Sequence, residues 1–536
     1  MAEQEFLCRL KPYIQPFERE LALRELEARS HSTPISIQND DSQSGDYRIT
    51  THVNSRHLLG SLAYWESITN HKLSFTTQVL REATVNIARN GITPQQISEK
   101  LPFASNEVPL PNRRHLRYGS HGIHEYRGKF FPQLVRALIN IADVPKNGVV
   151  LDPMSGSGTT AVEAILLGCR ARGLDMNPLS VLMSRTKCGL LSVNPDKLAG
   201  EYLALRKAIA ELKNHQAKYS LWFLSLPAED QNYLTLWFAP EVLNTLDVIA
   251  THIKSVKDGT IKDYFTLVLS NILRGVSWQK IDDLRVRKEV KPTSDYDPIG
   301  DFISELDRST KTVLAFLYNE HEARSLDWQI QEGDARQSSK YFRQLQGRTD
   351  VVITSPPYAM ALPYLDTDRL SLCYFGLLTR PLHRNRDLSM IGNREVTEAQ
   401  RDNHWKSYEE NKARLPLSSQ RLIETVYELN LNSNVGFRRR NLPALLGKYF
   451  FDMQDVFSEI KLLLRLGGCA FVVIGNNHTV AGGQRVDIDT THLLGELGET
   501  VGLRLEEVLP MDMLLSRDIF RKNAVASENI LCFRRI

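Results

Sequence analysis

The stretch Ser355-Pro356-Pro357-Tyr358 stands directly behind the β-branched run Val351-Val352-Ile353-Thr354. Two prolines stop a strand: each fixes φ near −65° and removes an N–H donor, so the carbonyls of the turn keep a set direction. The serine adds a hydroxyl that can donate and accept, and the tyrosine adds a flat ring with a polar tip. The corner is therefore either a plain strand end or a place where a hydroxyl, a carbonyl and a ring are held out for a ligand.

A second candidate lies upstream, in "LDPMSGSGTT". Asp152 ends an apolar run, and Gly156 and Gly158 let the backbone come close to a bound group. The helix expected from about Thr159 aims its N-terminus at that group. The spacing is not G-x-G-x-x-G, so the dinucleotide fingerprint is not met, and a lone G-S-G turn reads equally as a structural bend. Asp175 in "ARGLDMNP" sits at the next strand tip, just under 20 residues further on, where a carboxylate can accept both ribose hydroxyls of an adenosine. Asp334 in "QEGDAR" is a third acidic strand tip, placed to accept an exocyclic N–H of an adenine. One such tip alone is a solvated turn; three in order, interleaved with glycine-rich and proline-rich turns, form a pattern.

The elements that must position these residues read as an α/β fold. "GVVLDPMSGSGTTAVEAILLGCRARGLDMNP" is strand, turn, helix and strand, the β-α-β unit of a parallel sheet. Strands return at "WQIQEGDARQ" and "DVVITSPPY". A helix over "MQDVFSEIKLLLRLGG" leads to a buried-type strand, "CAFVVIGNN", and "LRLEEVLPM" and "ENILCFRRI" read as a closing antiparallel edge pair. Between the two halves, residues 196–324 carry helical spacing throughout and read as an insertion. Residues 1–110 read as mainly helical, beginning with "FERELALRELEAR" and followed by a polar linker, "SHSTPISIQNDDSQSGDYRI".

At 536 residues, roughly two to four domains or one domain with large insertions are expected. The hydrophobic share of 42% and the charged share of 24% are ordinary for a globular chain, and a net charge of +3 selects no partner. The six cysteines are scattered without a C-x-x-C pair, against a zinc ribbon or a secreted disulfide scaffold. The N-terminus lacks a signal-peptide core, and no apolar run reaches about 18 residues, so a cytoplasmic protein without a membrane span is expected. His121 and His124 have a metal-like spacing but no third ligand nearby. They read as surface or nucleic-acid-facing residues, and no metal site is expected.

Taken together, "DPMSGSGTT", "GLDMNP", "EGDAR", "TSPPY" and "FVVIGNN" resemble the S-adenosylmethionine-dependent DNA amino-methyltransferases, which methylate cytosine N4 or adenine N6. The resemblance covers the sheet segments, about 120–190 and 325–536 with gaps. It is closest to the N4-cytosine group, whose tetrad is usually S-P-P-Y. The chain departs from the family at Met154, where phenylalanine is common. The fold implied is a Rossmann-like class I methyltransferase sheet, mostly parallel with an antiparallel last strand, carrying a helical N-terminal region and large insertions.

The resemblance implies S-adenosyl-L-methionine held by Asp152, Pro153, Ser155, Gly156, Gly158, Thr159, Thr160, Asp175 and Asp334. Lys129 and Phe130 of "HGIHEYRGKFFPQL" would close over its methionine end, unless that segment is only a basic lead-in to a helix. Ser355, Pro356, Pro357 and Tyr358 are the implied catalytic residues: the serine hydroxyl and the Pro356 carbonyl would accept the N–H bonds of a base amine. Tyr358 would stack on a base flipped out of double-stranded DNA. Cytosine C5 methylation is excluded, because its cysteine nucleophile usually follows proline and the chain has no Pro-Cys pair.

The cofactor turn precedes S-P-P-Y, so the order is not the permuted one. The expected organisation is 1–110 of unknown role; 111–195 for the cofactor; 196–324 as a helical insertion and one candidate for target recognition. There follow 325–379 with the tetrad, 380–448 as a basic insertion, and 449–536 closing the sheet. Arg380, Arg384, Arg386, Arg394, Arg438, Arg439, Arg440 and Lys448 make 380–448 a DNA-contacting candidate; the plain alternative is a solvated loop pair around "SSQRLIETVYEL". The resemblance further implies a prokaryotic, nucleoid-associated protein, with a cognate restriction endonuclease or defence proteins as partners. The rival functions are adenine-N6 methylation, guanine-N2 methylation of RNA, and a non-catalytic DNA-binding component.

Overall fold

The computed structural model describes residues 3–37, 45–104, 107–126, 128, 130–212, 221–280, 287–292, 295–320, 327–359, 364–394, 396–431, 433–512 and 527–536. The chain builds two sheets and a hairpin. The first sheet holds β1 (Gln4–Leu10), β2 (Ile35–Ser36), β3 (Asp46–Thr51), β4 (Trp65–Asn70) and β5 (Lys72–Phe75), in the order β2-β3-β1-β4-β5 with every pair antiparallel. The second holds β6 (Val149–Asp152), β7 (Arg170–Asp175), β8 (Trp328–Glu332), β9 (Thr349–Thr354) and β10 (Leu464–Gly475). After the hairpin of β11 (Asn477–Ala481) and β12 (Gln484–Ile488), β13 (Leu503–Asp512) and β14 (Ser527–Arg535) complete it, in the order β13-β14-β10-β9-β6-β7-β8.

In this seven-stranded sheet β8, β7, β6, β9 and β10 run parallel, and β14 is antiparallel to both β10 and β13. The Rossmann-like arrangement expected from the sequence is thus present. The closing strands form the expected antiparallel pair at one edge of the sheet, with β13 outermost and β14 between it and β10. From β6 the chain steps to β7 on one side and later to β9 on the other. Such a reversal opens a crevice at the carboxyl ends of the strands. Buried Val149, Val150, Leu151, Val351, Val352 and Ile353 fill the sheet's centre, the near-continuous apolar runs that a sheet covered on both faces requires.

The N-terminal region corrects the expectation of a mainly helical segment. The helix Pro16–Ser30 is there, but it packs with a five-stranded sheet. Phe6, Cys8 and Leu10 of β1, and Tyr47 and Ile49 of β3, are buried on alternate positions between more exposed neighbours. That period of two was hidden because each run is short and β3 lies inside the polar stretch read as a linker. This region is fused to the rest: Arg81, itself buried, makes two hydrogen bonds to Glu320 at the end of helix Pro298–Asn319.

Residues 196–324 contain helices over Pro195–Glu211, Ala228–Thr235, Pro240–Lys254, Gly259–Leu273 and Pro298–Asn319. Their buried faces join the same core as the N-terminal sheet and β7. The segment 380–448 is largely helical rather than looped, with helices at Arg380–Ser389, Glu398–Asn411 and Leu417–Leu431. The helix Phe437–Leu463 runs straight through the expected boundary at 448. Its buried residues, from Leu442 to Leu463, pack against helices Glu398–Asn411 and Leu417–Leu431 and, near its end, the sheet, so packing prolongs the element past the point where composition changes.

Candidate active site

At the carboxyl edge of the sheet one cleft gathers Asp152, Pro153, Ser155, Gly156, Thr159, Asp175, Ser355, Pro357 and Tyr358, with Tyr126, Phe130, Met154 and Glu528 around them. Its floor is the pair of strand tips on β6 and β9. Thr354 Oγ1 donates to Asp152 Oδ1 at 2.8 Å, and Met154 N donates to the same oxygen at 3.1 Å. That bridge sets the glycine-rich turn beside the S-P-P-Y turn. Asp152 is buried, and burial pushes its carboxyl up to about 6 against the pull of the Thr354 hydroxyl.

The glycine-rich turn is cramped. Gly156 has φ +48° and a Cβ there would lie 2.9 Å from the Tyr126 ring; Gly158 has φ +80° and a Cβ there would lie 2.8 Å from Ser184 Cα. Only glycine satisfies both the left-handed backbone and the space. Gly156 N donates to Asp175 Oδ2 and Asn177 N to Asp175 Oδ1, each at 2.8 Å. Asp175 keeps an edge on the cleft, while the packing around it raises its carboxyl to about 6, opposed by those backbone donors. The helix Thr159–Leu166 begins directly after Gly158.

The turn leaves one hydroxyl open toward the cleft. Ser155 Oγ is buried, lines the cleft and has no hydrogen-bond partner among the described residues. Unpartnered buried hydroxyls are costly, and one in a cleft is a ready site for a polar ligand. A free hydroxyl, a helix N-terminus and a carboxylate rim together match the amino acid, carboxylate and ribose groups of S-adenosyl-L-methionine. The residues therefore fit the expected cofactor.

Several expected residues take other places. Asp334 does not line the cleft: its carboxylate is ion-paired with Arg336 at 2.6 Å and accepts Arg336 N at 3.0 Å, so its neighbours Gly333 and Ala335 form the wall instead. Sequence spacing placed the strand tip correctly but could not show that a guanidinium two residues on claims the carboxylate. Gly158, Thr160 and Pro356 also lie behind the lining, all three buried. Lys129 falls outside the described residues.

His121 and His124 are not surface residues. His121 is buried with Nε2 2.8 Å from Glu163 Oε1, and Glu163 also accepts from buried Arg136 at 2.8 Å. Burial raises the Glu163 carboxyl while Arg136 and His121 lower it, leaving it near 2, an ionised hub. His124, also buried, meets Ser270 at 2.9 Å. His121 ties its segment to helix Thr159–Leu166 and His124 ties it to helix Gly259–Leu273. Among the described residues no group of three or more His, Cys, Asp or Glu side chains could hold a metal ion.

Sequence reading missed the lid of the cleft. Met390 and Ile391 line it, brought over by helix Arg380–Ser389. Gly392 (φ +73°) allows the approach, since a Cβ there would lie 3.1 Å from Tyr358 O and 3.2 Å from Pro357 Cβ. Arg336 Nη2 holds Ser389 O at 2.8 Å and Arg386 pairs with Glu332 at 2.7 Å. Arg380 N donates to Asp230 at 2.6 Å, and Lys448 pairs with Asp452. Three of the basic insertion's residues, Arg380, Arg386 and Lys448, thus face the protein or its cleft wall, whereas Arg384, Arg394, Arg438, Arg439 and Arg440 are exposed. Asn177, Val473 and Glu528 also line the cleft and carried no signal of their own beyond their strand ends.

A parallel sheet with a glycine-rich turn after its first strand, an acidic tip after its second and a proline-rich turn after its fourth has the layout of a class I methyltransferase. Comparison with known proteins agrees. Residues 124–219 match the family model described as UPF0020, RMKL-like, methyltransferase domain. Type II methyltransferase M.MvaI of Kocuria varians is 27% identical over 278 residues, covering 48% of this chain and 58% of that protein. Type II methyltransferase M.BsoBI of Geobacillus stearothermophilus is 23% identical over 461 residues, covering 78% and 87%. A tRNA (guanine(10)-N2)-dimethyltransferase of Methanocaldococcus jannaschii is 35% identical over 129 residues, covering 24% and 32%. The chain spans about six tenths of the length of the first curated relatives it matches. The resemblance to S-adenosylmethionine-dependent DNA methyltransferases expected from the motifs holds; these matches do not separate the N4-cytosine from the N6-adenine group.

Proposed function

We propose that the protein transfers a methyl group from S-adenosyl-L-methionine to the exocyclic N4 of cytosine in a specific duplex DNA sequence, in restriction–modification or genome defence. The observation that carries this reading is the single cleft shared by the glycine-rich turn and Ser355-Pro356-Pro357-Tyr358. When bound, the cofactor supplies a methyl group activated on a sulfonium. Asp175 would hold its ribose, and Ser155 and the start of helix Thr159–Leu166 its polar ends. The type II methyltransferase relatives support DNA as the substrate, and serine in the tetrad favours cytosine.

The chain's own residues then make the target amine reactive. An exocyclic base amine is a poor nucleophile because its lone pair is delocalised into the ring. The Ser355 hydroxyl, on the cleft lining, would accept one N–H bond and the carbonyl of Pro356, which packs behind that lining, would have to reach the other, favouring the pyramidal amine whose lone pair is free. Tyr358 offers its ring to the flipped base. Catalysis is positioning in a preorganised polar site, with no covalent enzyme intermediate. The exposed Arg438, Arg439 and Arg440 at the first turn of helix Phe437–Leu463 sit where the helix dipole disfavours cations. An external anion such as the DNA backbone would offset that cost.

Adenine N6 is the alternative target for the same machinery. The tRNA-modifying relative supports a second reading, guanine N2 in RNA, but over a quarter of the chain only. The reading places the protein in the prokaryotic cytoplasm at the nucleoid, with a cognate endonuclease or defence proteins as partners. Labelled methyl transfer to duplex DNA, followed by mass spectrometry of the digested nucleosides, tests it: N4-methylcytosine is expected. N6-methyladenine would replace the cytosine assignment, and label confined to tRNA would overturn DNA as substrate.

A further inference from the structure

Among the described residues, Glu528 is the acidic side chain that lines the cleft next to Tyr358. Because β14 runs antiparallel to β10, its beginning lies at the edge where the parallel strands end, with Glu528 opposite Gly475. Glu528 lines the cleft together with Ser355, Pro357, Tyr358 and Val473. The Tyr358 hydroxyl donates to Glu528 Oε1 at 2.5 Å, the short range typical of a hydroxyl bound to a carboxylate. Burial pushes the Glu528 carboxyl above its ordinary range, and the Tyr358 hydroxyl opposes that push. A carboxylate kept in so unfavourable a place needs a role that an apolar side chain would not fill.

The geometry of the ring indicates that role. Tyr358 is attached to the chain at one end and to Glu528 at the other, so rotation about its side-chain bonds is blocked. A stacking platform gains from such a tether, because a base settles only on a ring whose plane is already set. We propose that Glu528 is a positioning residue that acts through Tyr358, fixing the ring on which the target base stacks beside Ser355. The proposal rests on the methyltransferase reading above.

A panel of full-length proteins tests it: wild type, Tyr358→Phe, Glu528→Ala, the double variant and Glu528→Gln. Titration with S-adenosyl-L-methionine, thermal melting, and kcat and KM for DNA are read for each. Tyr358→Phe and Glu528→Ala should each lower kcat/KM for DNA by about tenfold to a hundredfold. Cofactor affinity and melting temperature should stay near wild type. The double variant should be no worse than either single one. Glu528→Gln, whose amide oxygen still accepts the hydroxyl, should recover much of the activity.

Losses that multiply in the double variant, or an active Glu528→Ala, overturn the proposal. A fall in cofactor affinity and melting temperature in step with activity also overturns it, leaving the bond a fold tie only. If the wild type methylates RNA and not DNA, the reading of the substrate fails and the same panel is judged on RNA. If it methylates neither, both fall.

Discussion

On the glycine side of the cleft, most of the hydrogen bonds that fix the turn stay within one β-α-β unit, from Gly156 and Asn177 to Asp175 and from Met154 to Asp152, and Thr354 adds one to Asp152 from β9. On the S-P-P-Y side the comparable contacts reach across the chain: Tyr358 to Glu528, Asn477 to the Ala359 carbonyl, and Gly392 against Pro357 and Tyr358. The first side is shaped by backbone geometry within one β-α-β unit. The second is a set of side chains that meet only because β9, β10 and β14 are neighbours in the sheet. A locally built site fails when its backbone is disturbed, and an assembled one when a single distant side chain is lost.

Gly158→Ala should give the largest effect. It forces an L-residue to φ +80° and sets a Cβ 2.8 Å from Ser184 Cα, with an expected loss of about 3 kcal/mol or more of stability. Cofactor binding should disappear with it, as melting and titration would show. If Gly158→Ala binds normally, the glycine side is not the rigid half. Ser355→Ala should instead leave melting and cofactor affinity intact while lowering kcat by about a hundredfold or more. Single-turnover methyl transfer measures this, and unchanged turnover would remove Ser355 from the chemistry.

Replacing Arg438, Arg439 and Arg440 with alanine should weaken DNA binding without touching cofactor affinity. The slope of log K against log salt should become shallower by up to about three. An unchanged slope would separate this helix start from the DNA.

A smaller effect distinguishes the two sides by pH. The Asp175 carboxyl is pushed up to about 6 by burial, so the folded protein holds the neutral form to higher pH than the unfolded chain does. The stability that form contributes is present below the ordinary aspartate range and is lost as pH rises through about 6. Ribose hydroxyls need the carboxylate as acceptor, so cofactor affinity should be level above neutrality and weaken as pH falls through about 6. Titration calorimetry across that window checks the sign; an affinity that improves on acidification would place the ribose elsewhere.

Much of the glycine side was legible in the sequence, because Asp152, Gly156, Gly158 and Asp175 lie in one continuous strand-turn-helix-strand segment. Asp334 shows the limit of that legibility: its strand tip was correctly placed, but the Arg336 guanidinium takes its carboxylate. The histidines failed for a related reason. Polar residues at close spacing look solvent-facing, and only packing shows that Glu163 and Arg136 make burial of His121 tolerable. The N-terminal sheet escaped notice because its strands are short and pair at long range, as β1 does with β3.

By itself the sequence determined the order of the turns, the positions that only glycine or proline can fill, and the polar groups each strand tip presents. These follow from steric limits on single residues and from the period of apolar runs, which act locally. Tertiary structure decided which of those groups remain open to a ligand. It placed Met390 and Ile391 over the cleft and brought Glu528 to Tyr358 through the antiparallel β14. Contacts between residues so far apart depend on how strands are ordered in the sheet, and strand order is a property of the packed core as a whole.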